Sequence, residues 1–311
     1  DGGEATVYGH LRRALEFNLE RMGADGLPCG LLADWNDCLK LGYHGESLFV
    51  AFQLRLGLTT YADISKRLGK DDEAKWALEQ RETLDANIQK KCWDGKWFIW
   101  AIAEDGTVYG TQSIEEGQIY FNTQVWAVLS SAATAEQARI CMESVKEKLA
   151  TPYGLMLCAP PFVKTRSDIM SSVVFLPGIK ENAGIFNHTQ GWGIIAETML
   201  GNGDRAYEYC KAAIPAAYND KAEIRQSEPY VVGQTTYSTF SKRPGNTRVS
   251  WLSGAGTWSY YAITQYMLGI KPQYEGLLID PCIKSDWDGY KVERRWRKMN
   301  LKIEVKNPQH V

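Results

Sequence analysis

The sequence predicts a mainly α-helical fold, with helical hairpins packed side by side and a small β unit at the end. Three observations carry this expectation. Apolar residues recur at three- and four-residue spacing through most of the 311 residues, the mark of helices with one buried face. Gly-, Pro- or Asn-bearing turns separate most of these segments, which sets successive helices against one another. After Pro272 the spacing changes to alternation of apolar and polar residues, the period of a strand.

Val7, Leu11, Ala14, Leu15, Leu19 and Met22 share a helical face, and Gly23 follows as a stop. A second helix is expected over Ser47 to Lys66, rich in Leu and Phe. A third is expected over Asp71 to Gln89, with Asp at its start and Ala74, Leu78 and Ile88 turned inward. Further helices are expected near Gln118–Ser130, Ala135–Leu149, His188–Leu200, Asp204–Ala213 and Ser250–Leu268. Between them, Trp93 to Tyr109 alternates around Asp105-Gly106 and reads as a β-hairpin. At the end, Tyr290, Val292 and Trp296 form one face, and Leu301, Ile303 and Val305 alternate with Lys302, Glu304 and Lys306. These read as a strand pair opening a small β domain. The expected division is 1–271 for the helical unit and 272–311 for the β unit. No repeat or low-complexity linker interrupts the chain.

Composition narrows the function. A formal net charge of −2 offers no basic surface for nucleic acid. The one dense basic cluster, Lys291 to Lys298, is interrupted by Glu293 and reads as a solvated strand face. The seven cysteines are scattered, with no Cys-x-x-Cys and none at metal-ligand spacing with a His. Reduced thiols in a cytosolic protein are expected. No signal peptide or long apolar run suggests export or a membrane. The chain opens on Asp1-Gly2-Gly3, and a piece of a longer protein is expected. Eleven Trp and 16 Tyr suit stacking on sugar rings, or equally a large helical core.

Four stretches bear candidate chemistry. In Asp34-Trp35-Asn36-Asp37, two carboxylates flank a Trp and an amide. Trp offers a flat platform for a sugar face. A carboxyl desolvated beside it would have a raised pKa, as a general acid for a glycosidic bond requires. A turn leading into a helix cap, with Trp in the core, fits equally. The second stretch, Phe175 to His188, is a long polar loop that runs into a helix. It places His188 where helix N–H groups favour an anion, although a capping His also fits. Lys180 and Glu181 within it could meet sugar hydroxyls or pair with each other. In the third, Trp251 to Trp258, Ser253 and Gly254 form a possible anion cradle; no Gly-Lys-Ser/Thr follows, so it is not a Walker motif. In the fourth, Glu228 to Gln234, an amide follows an extended run. Gln234 could bind vicinal hydroxyls or be a buried structural amide. No metal or Ser-elbow motif occurs, and four His make a metal site an unattractive reading.

Together these stretches resemble the family 94 glycoside phosphorylases. The resemblance is carried in order by Ala33-Asp34-Trp35-Asn36-Asp37-Cys38-Leu39, by Pro177-Gly178-x-Lys180-Glu181-Asn182-Ala183-Gly184-Ile185-Phe186, by Glu228-Pro229-Tyr230 and by Trp251-Leu252-x-Gly254. It runs from about Gly3 to the end. It implies the later helical hairpins of an (α/α)6 barrel and the start of a C-terminal β-sandwich domain. The family's N-terminal β-sandwich, first barrel helices and an arginine-bearing phosphate segment would lie outside this chain.

The implied reaction is inverting phosphorolysis of a β-linked disaccharide, of cellobiose or N,N'-diacetylchitobiose type, to an α-sugar 1-phosphate and a free sugar. Inorganic phosphate is a substrate, and no cofactor is implied. Phosphate is itself the nucleophile, so one carboxyl acid suffices where an inverting hydrolase needs two. By resemblance Asp37 is that acid, with Asp34 as a structural neighbour and reserve candidate. Trp35 and Gln234 hold the donor ring, Lys180 faces the acceptor, and Glu181 and Phe175 line the sugar site. His188, Ser253 and Gly254 take phosphate. A homodimer is expected. The sequence departs from the family pattern at Ser253, commonly Thr, and from the cellobiose enzymes at Phe175 and Ser171, where Tyr and Glu stand. The short segment Lys40 to Glu46 is nearer the chitobiose type. Two alternatives remain: an inverting hydrolase using Glu115, Glu116 or Glu181 as base, or an inactive sugar-binding fragment.

Overall fold

The computed structural model describes residues 3–251 and 254–310. The helices are α1 (Val7–Leu19), α2 (Leu48–Arg67), α3 (Asp71–Lys91), α4 (Phe121–Leu129), α5 (Ala135–Leu149), α6 (Asn187–Met199), α7 (Gly203–Ala213), the short α8 (Ala222–Arg225) and α9 (Ala255–Tyr261). Local chemistry accounts for several of their ends. Thr6 and Ser47 accept from backbone N–H groups at the starts of α1 and α2. Thr134 and Gln137 form a reciprocal capping box on α5. Helix α3 opens on Asp71, Asp72 and Glu73 and closes on Lys90 and Lys91, both signs matched to the helix dipole.

The helices pack in two layers. Helices α2, α4, α6 and α9 touch in succession, while α1 and α3 lie on α2, α5 on α4 and α7 on α6. Burial follows this order. Eight of the nine residues of α4 and ten of the 13 of α6 are buried, as for helices covered on more than one side. Of the apolar face expected on α1, only Leu15 is buried, whereas Val7 is 78% and Leu11 41% exposed.

Two-residue strands precede α2 (Glu46–Ser47), α4 (Ile119–Tyr120) and α6 (Ile185–Phe186). Such strands are too short to show a period in sequence. The expected hairpin is present: Ala101–Ile102 pairs with Val108–Tyr109 and also with Glu46–Ser47. The loops before the layered helices have an apolar core of their own, containing Leu39, Leu41, Trp100, Tyr109, Tyr120, Phe162 and Phe186, with Trp35 and Phe175 packed against it.

The expected helix over Ser250–Leu268 starts later. Thr247–Ser250 forms a strand on Gly233–Thr236 instead, Trp251 has a left-handed φ of 68°, and α9 begins at Ala255. It runs on as a π-type segment, Ala262–Met267. The C-terminal pair is Gly289–Trp296 with Met299–Lys306, in register at Tyr290 with Val305 and Val292 with Ile303. Arg297 and Lys298 both have positive φ (43° and 71°), the geometry of a two-residue hairpin turn matched to strand twist.

Helices α6 and α9 approach closely because residue 191 is glycine. A Cβ there would lie 2.8 Å from the Trp258 carbonyl oxygen, nearer than carbon and oxygen approach without strain. Gly191→Ala is therefore expected to lower stability by about 1–3 kcal/mol through overpacking, despite alanine's better helix propensity. Urea unfolding measures this, and an unchanged midpoint would show that α9 can move away freely.

Candidate active site

The starts of α2, α4 and α6 are tied together by the segment that contains Trp35. Asp34 Oδ1 accepts from the Asn36 N–H at 2.7 Å, and Asn36 Oδ1 accepts from the Cys38 N–H at 2.9 Å. These two successive side-chain turns fold the motif back on itself. Asp34 Oδ2 accepts from Ser47 Oγ at 3.0 Å and from Trp100 Nε1 at 2.8 Å. Ser47 caps α2, and Trp100 stacks on Tyr120 at the start of α4, with ring centroids 3.6 Å apart. Trp35 Nε1 donates to His188 Nε2 at 3.0 Å, at the start of α6.

This divides the two carboxylates. Asp34 is the desolvated one: burial pushes its carboxyl above the usual carboxylate range, opposed by the three donors it accepts. Asp37 stands exposed at the apex of the turn. The desolvation expected beside Trp35 thus falls on Asp34, because the folded-back turn directs that residue toward Ser47 and Trp100.

The loop Phe175 to Gly184 is rigidly built. Asn182 is fully buried; it accepts from the Phe162 N–H at 2.7 Å and donates to the carbonyls of Phe162 and Phe175, each at 2.8 Å. Gly178 has φ 82°, and a Cβ there would lie 2.4 Å from the Ser241 nitrogen. Lys180 Nζ lies 5.4 Å from the Phe175 ring centre, a cation–π contact rather than an ion pair with Glu181. Glu181 is half-buried, and its Oε2 has no partner among the described residues. Burial pushes its carboxyl up, and the nearby charge of Asp37 adds to this. Ser171 joins the same neighbourhood, its N–H donating to the Cys38 carbonyl at 2.9 Å.

His188 is the second residue of α6. Its ring lies among Trp35, Phe186 and Trp192, with centroids at 5.2, 6.3 and 5.4 Å. Burial in this aromatic setting lowers its pKa to about 4, so the ring is neutral at ordinary pH. Gln234 lies on the strand Gly233–Thr236, which pairs with Ile185–Phe186 immediately before His188. Asn187 joins the two by donating to the Gly233 carbonyl at 3.0 Å.

Gly254 caps α9, and its carbonyl accepts from the Trp258 N–H at 2.8 Å. Trp258 packs edge-on against Trp192 with centroids 5.7 Å apart. Ser253 lies outside the described residues.

Of the alternative base candidates, Glu116 is engaged by the N–H groups of Val163, Lys164 and Thr165 and by the Thr165 hydroxyl. Glu115 pairs with Lys164 on the exposed surface. A cleft of about 1070 Å³ lies elsewhere, between the end of α6, the start of α7 and the C-terminal strands. Among the described residues no cluster of His, Cys, Asp and Glu is arranged to hold a metal. No described helix is long and apolar enough to cross a membrane.

Sequence alone assigns no site role to Ser47, Trp100 or Asn182, although Asn182 stands within the motif from Pro177 to Phe186. Each is an ordinary core or cap residue by composition, and only its partner gives it a role in the site.

Trp35, the Asp34 carboxyl and His188 are thus gathered at the starts of the layered helices α2, α4 and α6. The model of the glycosyl hydrolase 94 superfamily catalytic domain matches residues 1–269, and the chain belongs to that family. It is 41% identical, over its full length, to an N,N'-diacetylchitobiose phosphorylase from Vibrio proteolyticus, and covers 39% of that protein. It is 30% identical over 99% of its length to a solabiose phosphorylase from Paenibacillus borealis, covering 40% of it. The chain thus spans about two fifths of the length of these curated relatives. Among solved structures, one titled sialidase superposes with a TM-score of 0.71 at 13% identity, over 97% of this chain and 28% of that one, a likeness of fold alone.

Proposed function

We propose that this chain is the later part of the catalytic unit of an inverting disaccharide phosphorylase, and that its layered helices belong to an (α/α)6 barrel followed by the opening of a β-sandwich domain. The single observation that carries the reading is the Trp35–His188 hydrogen bond. It joins the motif that resemblance gives to the sugar with the motif that resemblance gives to phosphate.

In this reading a phosphate oxygen attacks the anomeric carbon as the glycosidic C–O bond breaks, and Asp37 gives its proton to the departing oxygen. Trp35 and Gln234 hold the donor ring, Lys180 faces the acceptor, and Glu181 and Phe175 line the sugar site. His188, Ser253 and Gly254 bind phosphate. The substrate is a β-linked disaccharide, with the N,N'-diacetylchitobiose type favoured by the Vibrio relative at 41% identity. Seven free thiols suit a cytoplasmic enzyme.

The test is sugar 1-phosphate release from N,N'-diacetylchitobiose and from cellobiose by the complete polypeptide, with and without phosphate. The α-anomer of the sugar phosphate is the expected product. Glu181, with its raised and partly unpartnered carboxyl near Asp37, is the remaining candidate base for a hydrolase. Sugar release at the same rate without phosphate would establish that reading instead.

A further inference from the structure

We propose that Trp35 is a positioning residue for His188. Its indole N–H fixes the neutral imidazole in the tautomer that carries the proton on Nδ1, leaving that N–H as the donor to phosphate. The proposal rests on His188 being a phosphate ligand.

Indole nitrogen can only donate a hydrogen bond. With Trp35 Nε1 at 3.0 Å, His188 Nε2 must present its lone pair. In a neutral ring the proton is then on Nδ1. The surroundings leave the ring little freedom. Trp192 stands perpendicular to it, with an interplanar angle of 90°, and Phe186 at 84°. Burial alone accounts for the shift of the His188 ring, with no carboxylate among the described residues acting on it, so none competes with Trp35 for control of the tautomer. The other tautomer would turn a nitrogen lone pair, rather than an N–H, toward a phosphate oxygen, and two acceptors repel. One side chain therefore serves both substrates: its face meets the sugar, and its edge sets the proton on the phosphate ligand.

The experiment reads the tautomer directly and the kinetics separately. In ¹⁵N-histidine spectra of the complete enzyme near neutral pH, the His188 signal is identified by its loss in His188→Gln. It is expected to show an unprotonated Nε2 and a protonated Nδ1. Two variants remove the indole N–H: Trp35→Phe, and β-(3-benzothienyl)alanine in place of Trp35, which preserves the bicyclic face. Both are expected to shift His188 toward the Nε2–H tautomer. Loss of one well-placed donor corresponds to a rise of about tenfold in phosphate KM, with a smaller change in disaccharide KM for the benzothienyl enzyme.

An Nε2–H tautomer in the unsubstituted protein would overturn the proposal without any variant. So would a benzothienyl enzyme with unchanged tautomer and phosphate KM, and that result would leave the phosphorylase reading standing. A His188→Gln enzyme with normal phosphate KM would remove the phosphate assignment itself, and the proposal with it.

Discussion

Asp37→Asn in the complete enzyme is expected to lower phosphorolysis of a disaccharide by about 10²–10⁴-fold, the usual contribution of a general acid, while thermal stability stays near normal. The structure separates these two effects. Asp37 is exposed at the apex of its turn, and no hydrogen bond or ion pair to its carboxyl occurs among the described residues. The turn is held by its neighbours: Asp34 bonds to Asn36, Ser47 and Trp100, and Asn36 bonds to Cys38. An amide at position 37 therefore costs the fold little. It cannot donate a proton to a leaving oxygen, which is what the chemistry requires. The diagnostic substrate is an aryl β-glycoside with an acidic phenol, whose departure needs no proton. Its turnover should fall far less than that of the disaccharide. Equal losses on both substrates would mean that residue 37 binds rather than protonates, and near-normal disaccharide turnover would remove it from the mechanism. Asp34→Asn provides the contrast: a lowered melting temperature is expected, because an amide can accept through only one of its two terminal atoms.

Much of this architecture is legible in the sequence, and the exceptions have physical causes. Helix α5 runs over Ala135–Leu149, as its spacing predicts, because an amphipathic helix closed by a capping box states both its face and its start. The start of α9 was not legible. Thr247–Ser250 is held by the neighbouring strand Gly233–Thr236, and pairing of two four-residue strands leaves no periodic trace. Within the site, the residue types were visible at Trp35, Asp37 and His188, and Asp34 was expected as a structural neighbour holding its loop, but the side chains that bury Asp34 were not visible. Both carboxylates flank the same Trp. Burial at Asp34 is decided partly by Trp100, 66 positions away, and the Trp35–His188 bond spans 153 positions. Local sequence does not state which side chain of a motif an indole 66 positions away will meet.

The neutrality of His188 gives the second large expected effect, a loss of stability in mild acid. Its pKa falls from 6.5 to about 4 through burial among Trp35, Phe186 and Trp192. In the unfolded chain the imidazole takes up its proton near pH 6.5, whereas in the folded chain it stays neutral until about pH 4. Between these values the unfolded state binds more protons, so stability falls as pH falls; the contribution is intact above 6.5 and gone below 4. The interval corresponds to about 3 kcal/mol if the ring were wholly shielded, and its partly exposed edge reduces the expected loss to about 2 kcal/mol. Asp34 and Glu181, whose carboxyls are pushed up by burial, act in the opposite direction, so the whole-protein profile does not isolate His188. The difference between the unsubstituted chain and His188→Gln does. Urea unfolding at pH 7 and pH 4.5 should show the unsubstituted chain losing more stability on acidification than the variant, by that amount. Equal losses would mean that His188 is protonated in the folded protein near pH 6.5. The Nε2 lone pair would then be absent in mild acid, and the Trp35 hydrogen bond could hold only the neutral enzyme.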